Sequence, residues 1–482
     1  MRTHLLYLAI ITTVTMLLGI YLIASTVVIA EDGAGFINFA KGLRSDFCST
    51  VIGNYQHPGY PVLIELVQPL FVWAGGLQSW IYSAQSVSLM CKLLSVIILY
   101  FVGVNFVGAR TSFISCVLLV LLPECAVTGS DVLSEWPHLL FFSAGFLMLL
   151  KWCRNPHWAW AGLAGLFGGG GYLVRPECVQ IVIFGVILLC CGFFISEVKQ
   201  TKKAIVFSLF VLIAAFLAAA LPYMHFKGAF FPKKSLDMQI VMFSQCLPIA
   251  SIDAIGIAGE FAAAFYKFFV RSSELLGYFF WPFWVIGITI AIADKKRNAL
   301  HRILIGWAVI LTIAVLVWLY ARYGYIARRH LLPLGAMTIW FVPLGIEWVC
   351  SKLAMIKEPQ FFKLYRDVVF LGIIITGIIV CLPKSLKPIG KSKAAYLDVV
   401  SWLRENSQVT DAVLAPDVRI GFYAERKVFV SAKDIQGQRV YYVTRNQTKA
   451  PKGYVVKDRI CIPASDGTVY TMIACERKHR IK

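Results

Sequence analysis

Val28-Ile29-Ala30-Glu31-Asp32-Gly33-Ala34-Gly35-Phe36 closes an apolar run that begins at Leu5. A run of some twenty-five residues is long enough to cross the hydrocarbon core as a helix, and two adjacent carboxylates stand where it ends. It is too long for a signal-peptide core and lacks a small-residue cleavage site, so it reads as a retained span. Apolar runs of similar length recur down the 482-residue chain, which is 59% hydrophobic and only 15% charged, with a mean hydropathy of +0.72. That composition excludes an ordinary soluble domain and leaves an α-helical polytopic membrane protein, because helices in lipid must satisfy their own backbone groups.

The expected spans lie near 5–30, 82–108, 112–129, 133–151, 158–174, 178–196, 204–223, 274–293, 303–320, 331–349 and 367–383, about eleven in all. The stretch 61–80 carries Glu65, Gln68 and Pro69 at its centre, which suits an interfacial helix better than a span. Alternate turns hold Arg110, Lys151 and Arg154, Lys202 and Lys203, Lys295 to Arg297, and Lys352 to Arg366. Cations there put these turns and the N-terminus on the cytoplasmic side. The opposite turns hold Glu31-Asp32, Asp131 and Glu135, Arg175-Pro176-Glu177, and Arg322 to His330. The residues able to do chemistry therefore share the outer face.

The net charge of +20 comes from loops between apolar runs and from the tail. It is explained by membrane topology and affinity for anionic lipid or phosphate, not by nucleic acid. Two outer regions are large: a loop over 224–273 containing Phe230-Phe231-Pro232-Lys233-Lys234, and a polar tail over 385–482 whose alternating pattern predicts a small α/β domain. This divides the chain into a membrane domain, 1–384, whose first outer loop is 31–81, and the tail domain. The thirteen cysteines show no zinc-ligand spacing. Cys461 and Cys475, about one hairpin apart, are candidates for a disulfide if the tail faces an oxidising compartment.

Glu31 or Asp32 can serve as general base toward a hydroxyl, with Gly33 and Gly35 allowing close backbone approach to substrate. Against this stands simple solvation of a helix end. His57-Pro58-Gly59-Tyr60-Pro61 reads either as a rigid turn or as a sugar or phosphate contact through His57 or Tyr60. Asp131 and Glu135 share a helical face, and Glu135 at the head of a span needs a partner. Arg322, Arg328, Arg329 and His330 form the strongest cation cluster, suited to a phosphate or to lipid headgroups. Lys92 lies mid-span and needs a partner or a polar cavity. Nucleotide-binding and metalloprotease motifs are missing.

Glu31-Asp32-Gly33 after the first span, the His57 to Pro61 turn, Ser134-Glu135, Tyr172 to Glu177, and Arg322-Tyr323 with Arg329-His330 and Pro333 together resemble the GT-C glycosyltransferases. The nearest branch is that of dolichyl-phosphate-mannose protein mannosyltransferases and bacterial lipid A aminoarabinose transferases. The resemblance covers roughly residues 1–350 and implies a GT-C fold with up to thirteen membrane helices. It implies transfer of a sugar from a polyprenyl phosphate to a hydroxyl of a glycolipid, polysaccharide or protein, with inversion. It places the base at Asp32 or Glu31 and the donor contacts at Arg175, Arg322, Tyr323, Arg328 and Arg329, with Lys233 and Lys234 as looser matches. No cofactor is called for, and a divalent metal is compatible but not required. A bacterial inner membrane with a periplasmic site is the expected setting. The competing expectation, a lipid-linked sugar transporter or flippase, calls for mid-membrane charge and two related halves, of which this sequence offers little beyond Lys92.

Overall fold

The computed structural model describes residues 2–194, 201–228, 254–293, 299–354, 362–408, 411–415, 417–429, 439–444, 454–463 and 469–477. Lys233 and Lys234 lie outside the described residues, as does half of the expected outer loop 224–273.

The helices in order are α1 Arg2–Ala24, α2 Glu31–Ser45, α3 Phe47–Gly53, α4 Gly59–Val67, α5 Gly76–Val107, α6 Ala109–Leu121, α7 Pro123–Thr128, α8 Glu135–Arg154, α9 Trp158–Tyr172, α10 Val179–Gly192, α11 Lys202–Lys227, α12 Ala254–Leu275, α13 Trp281–Ala293, α14 Ala299–Tyr323, α15 Leu332–Thr338, α16 Phe341–Ala354, α17 Phe362–Ser385, α18 Ala395–Asn406 and α19 Val418–Ala424. By length and apolarity α1, α5, α8, α11 and the Tyr365–Ser385 part of α17 can each cross a membrane. A sixth candidate span is bent by 63° between Arg328–Thr338 and Phe341–Leu353. Other apolar runs fold as shorter or interrupted helices. The run expected at 112–129 breaks between α6 and α7, where Pro123 cannot continue the hydrogen-bond ladder.

Small residues set the packing. Gly165 and Gly169 on α9 face the carbonyls of Leu212 and Phe216 on α11, so close that a Cβ at either would overlap the partner backbone. Gly287 on α13 and Gly345 on α16 meet in the same way. Close backbone approach is how helices associate where water supplies no hydrophobic drive. The interfacial expectation for 61–80 corresponds to α4 followed by a 3₁₀ turn, Gln68–Ala74, with Leu66, Leu70, Val72 and Trp73 exposed. Its polar centre is paired inward: Arg44 donates to Glu65 at 3.2 Å and to Gln68 at 2.9 Å.

Beyond α17 the chain forms a five-stranded sheet flanked by α18 and α19. Its strands are β1 Ala412–Leu414, β2 Lys427–Phe429, β3 Arg439–Thr444, β4 Tyr454–Pro463 and β5 Val469–Arg477, in the order β2-β1-β3-β5-β4. β1 pairs in parallel with β2 and β3, and β5 is antiparallel to β3 and β4. The register sets Cys461 opposite Thr471, and Cys475 opposite Val456. The two cysteine positions are thus four residues out of register, roughly 13 Å along the strand, too far for a disulfide.

Gly165→Leu is expected to force α9 and α11 apart and lower the unfolding temperature in detergent by several degrees, corresponding to about 3 kcal/mol of overpacking. Differential scanning fluorimetry against wild type measures it.

Candidate active site

Four sets of side chains, drawn from remote parts of the chain, meet at the rim where α1 ends. The first is the start of α2. Glu31 and Asp32 occupy its first turn, where the helix dipole favours a carboxylate. The second is the loop before α8. Asp131 is buried, and its Oδ1 accepts from the backbone N–H of Ala30 at 3.0 Å and of Val132 at 2.7 Å. Burial pushes the Asp131 carboxyl up to about 6 despite these donors. Asp131 therefore acts as a clamp on the chain leading to Asp32 and does not face the cleft. Gly33 packs closely on Val132, so its close approach is given to the protein itself, whereas Gly35 is exposed and meets the Gln56 amide only at ordinary contact distance.

The third piece is Glu135, at the head of α8 and only 4% exposed. The fourth comprises Arg175, just after α9, and Arg329, in the 3₁₀ turn Arg328–Leu331. Together they form one chain of ion pairs. Arg329 reaches Asp32 Oδ2 at 2.7 Å and Glu135 Oε1 at 3.6 Å. Arg175 reaches the same Glu135 oxygen at 3.0 Å and Glu177 at 3.4 Å. Arg328 turns the other way, to Glu124 at 3.3 Å and Glu274 at 3.9 Å, and Arg271 completes that second group by binding Glu274 at 2.6 Å.

Glu135, Arg175, Glu177 and Arg329 of this chain line a cleft together with His138, Gln180, Thr312, Val315, Leu316, His330 and Pro333, and Asp32 stands outside the lining, joined to it through Arg329. Glu135 Oε2, Glu177 Oε2 and His138 Nε2 are buried without a hydrogen-bond partner among the described residues. Thr312 and Pro333 also line a second, apolar cavity that runs on past Phe142, Phe146, Met337 and Ile305. The charged cleft thus has a small apolar cavity beside it, between α8, α14 and α15. Among the described residues no three or more His, Cys, Asp or Glu side chains converge as metal ligands would, and the carboxylates of the ion-pair chain take guanidinium partners.

Of the residues singled out from sequence, Asp32, Glu135, Arg175 and Arg329 are brought together. Glu31 is exposed beside Asp32. Arg322 and Tyr323 end α14, their side chains lying outside the described residues. Tyr60 and His57 do not reach the cleft. Tyr60 is fully buried and its hydroxyl donates to the Ala84 carbonyl at 2.9 Å, beside Ser88. His57 is buried between Tyr172 and Tyr223, its Nδ1–H donating to the Tyr172 carbonyl at 2.7 Å, while Gly59 N–H donates to Leu173 at 2.7 Å. The turn docks α4 onto the end of α9. Lys92 is fully buried over the Trp136 ring, 5.7 Å from its centroid. His138, Gln180 and Thr312 were not anticipated. His138 could have been, since it stands three residues after Glu135 on one helical face.

With this geometry in hand, comparison with known proteins is direct. A family model described as dolichyl-phosphate-mannose-protein mannosyltransferase matches residues 58–224. ArnT from Cupriavidus metallidurans, solved bound to undecaprenyl phosphate, superposes with a TM-score of 0.63 at 12% identity, over 98% of this chain and 97% of that one. The chain carries the GT-C fold. The archaeal oligosaccharyltransferase AglB from Archaeoglobus fulgidus, solved with an inhibitory peptide and a dolichol-phosphate, is a second GT-C match. Its TM-score is 0.59 at 12% identity, over 91% of this chain and 69% of that one. No curated protein sequence matches the chain.

Burial lowers the His57 pKa from 6.5 to about 4, so the folded protein keeps this ring neutral while an unfolded chain would protonate it near 6.5. Its contribution, up to about 3 kcal/mol, is present above pH 6.5 and is lost as pH falls through 4. Thermal unfolding of wild type and His57→Gln from pH 7 to 4 is expected to show a steeper acid loss in wild type.

Proposed function

We propose that this protein is a membrane glycosyltransferase that moves a sugar from a polyprenyl phosphate to an acceptor hydroxyl by a single inverting displacement. The observation that carries the reading is the Asp32–Arg329–Glu135–Arg175 chain at a charged cleft with a small apolar cavity beside it. From Leu316 to Ile305 the residues lining the two follow α14 for about 16 Å, roughly half the thickness of a hydrocarbon core. On this reading an isoprenoid tail lies along that apolar side, opening it further, with its phosphate held at the charged cleft. ArnT bound to undecaprenyl phosphate and AglB bound to a dolichol-phosphate have this fold with ligands of this class.

The reaction balances on the residues present. Asp32 takes the proton of the acceptor hydroxyl and the oxygen attacks the anomeric carbon. The carbon–oxygen bond to phosphate breaks with inversion, and the polyprenyl phosphate leaves onto Arg329 and Arg175. Asp32 rests in an ion pair with Arg329 at 2.7 Å, so an arriving phosphate competes for that guanidinium and frees the carboxylate to act as base. Asp32, Glu135 and Glu177 already outnumber the two arginines of this chain, so a phosphate dianion needs further cations. Lys233, Lys234 and Arg322 are the candidates, with Tyr323 as a further donor contact. His57 and Tyr60 act by seating α4 and α9.

The acceptor is a hydroxyl of a glycolipid, polysaccharide or protein that approaches from the aqueous side of Asp32, where Glu31 is exposed. The C-terminal unit, 385–482, stands on the same face, which is the periplasmic face if the host membrane is a bacterial inner membrane.

Asp32→Asn is expected to keep donor binding and lower transfer by at least about 100-fold, the scale of a lost general base. Arg329→Lys, which loses the bidentate fork, should mainly raise the donor KM. Both are measured with purified protein in lipid, following radiolabel leaving a panel of polyprenyl-phosphate sugars in the presence of envelope extract. Wild-type turnover by Asp32→Asn would sink the assignment of the base. A wild type that neither binds nor consumes any donor would remove the enzyme reading.

A further inference from the structure

The segment that carries Asp32 into place is not held by its own secondary structure. Residues 25–30, between α1 and α2, form neither helix nor strand, yet Val28 and Ile29 are almost wholly buried. Buried backbone groups need partners, and those of Val27 and Ile29 find theirs more than 360 residues away. Val27 N–H donates to the Ile389 carbonyl at 2.9 Å. Ile29 N–H donates to the Tyr423 hydroxyl at 2.9 Å, and Arg419 Nη1 donates to the Ile29 carbonyl at 3.3 Å. Gly390, at φ +68°, lies directly against the Val28 carbonyl, where a Cβ would collide. Asp131 then takes Ala30 N–H at 3.0 Å, and Glu31 and Asp32 follow.

Tyr423 and Arg419 are themselves fixed. Arg419 makes a two-pronged contact with Asp417, at 2.9 and 2.6 Å, and its guanidinium lies 5.6 Å from the centre of the Tyr396 ring. Both members of that ion pair are nearly buried. The Tyr423 carbonyl accepts from Arg404 at 2.7 Å. Burial pushes the Tyr423 hydroxyl up to about 12, so it stays a neutral partner for Ile29 across the working range. Neither residue lines the charged cleft.

We propose that Tyr423 and Arg419 are positioning residues for the transfer reaction: the C-terminal unit grips the backbone of Ile29 and so sets the place and angle at which Asp32 meets the cleft. The inference rests on the glycosyl-transfer reading above. A base displaced by an ångström loses much of its effect even when every reacting group is still present. The C-terminal unit is on this account part of the catalytic apparatus and not an appended module.

The test uses the full-length protein with Tyr423→Phe, Arg419→Gln, the double variant, and Asn406→Ala as a distant control on α18. Hydrogen exchange of the peptide covering 25–36 is read beside kinetics. The double variant is expected to speed exchange of the Ile29 amide and to lower kcat by about 10- to 100-fold with the donor KM unchanged. Arg419→Lys, which keeps one donor, should recover part of the loss, and Asn406→Ala should match wild type. Tyr423→Phe removes one oxygen and keeps the ring, so it separates positioning from failure to fold. Unchanged exchange in the double variant overturns the proposal, as does faster exchange with undiminished kcat. A wild type that moves no sugar from any donor removes the transferase reading and this inference with it. An active wild type with indifferent variants removes the inference alone.

Discussion

The site depends on one buried carboxylate. Glu135 stands at the head of an apolar helix, where an unpaired charge is costly, and a single oxygen of it faces both Arg175 and Arg329. Those two guanidiniums come from turns more than 150 residues apart, after α9 and before α15. Remove the carboxylate and two cations are left facing each other at the edge of a low-dielectric bundle. A buried pair is weak evidence of stability, because desolvation offsets much of the attraction, but breaking one side of it is costly. The value of Glu135 is therefore geometric. It makes two remote arginines neighbours, the arrangement that the proposed donor phosphate calls for.

The second ion-pair group supports this in a separate way. Arg328 and Arg329 are adjacent in one short 3₁₀ turn, yet their side chains diverge, one to Glu124 and Glu274, the other to Asp32 and Glu135. Arg328 anchors the turn to α7 and α12, which leaves Arg329 able to exchange Asp32 for another anion while the backbone that carries it stays in place.

The membrane character of the chain and the common rim of Glu31-Asp32, Glu135, Arg175 and Arg329 were legible because both are local properties: run length, and charge at the ends of runs. Pairing was not legible. Asp32 and Arg329 are 297 positions apart, and no periodicity links them. The same limit explains Tyr60 and His57. A His-Pro-Gly-Tyr-Pro turn is equally suited to binding a ligand and to docking a helix, and only burial separates the two, which here goes to the Tyr172 carbonyl and to Ala84. Gly33 misled for a related reason: a missing side chain signals close approach but does not name what approaches, which here is Val132. The disulfide candidates in the tail fail on register, which spacing along the sequence cannot reveal.

A base and a leaving-group clamp place opposite demands on structure. On the proposed reading the clamp must tolerate a change of partner between resting protein, bound donor and released carrier, and Arg329, sitting on a short turn and shared between two carboxylates, suits that demand. The proposed base must not move, since its competence would depend on aim. Asp32 lies one residue into α2, and a helix start frays unless something beyond it is tied down. Here the preceding five residues are bonded to Asp131 from the α7–α8 loop and to Ile389, Arg419 and Tyr423 from the far end of the chain. On the proposed reading, a segment tied in this way from two directions could lose its ion pair with Arg329 to an incoming phosphate and still hold its carboxylate in place.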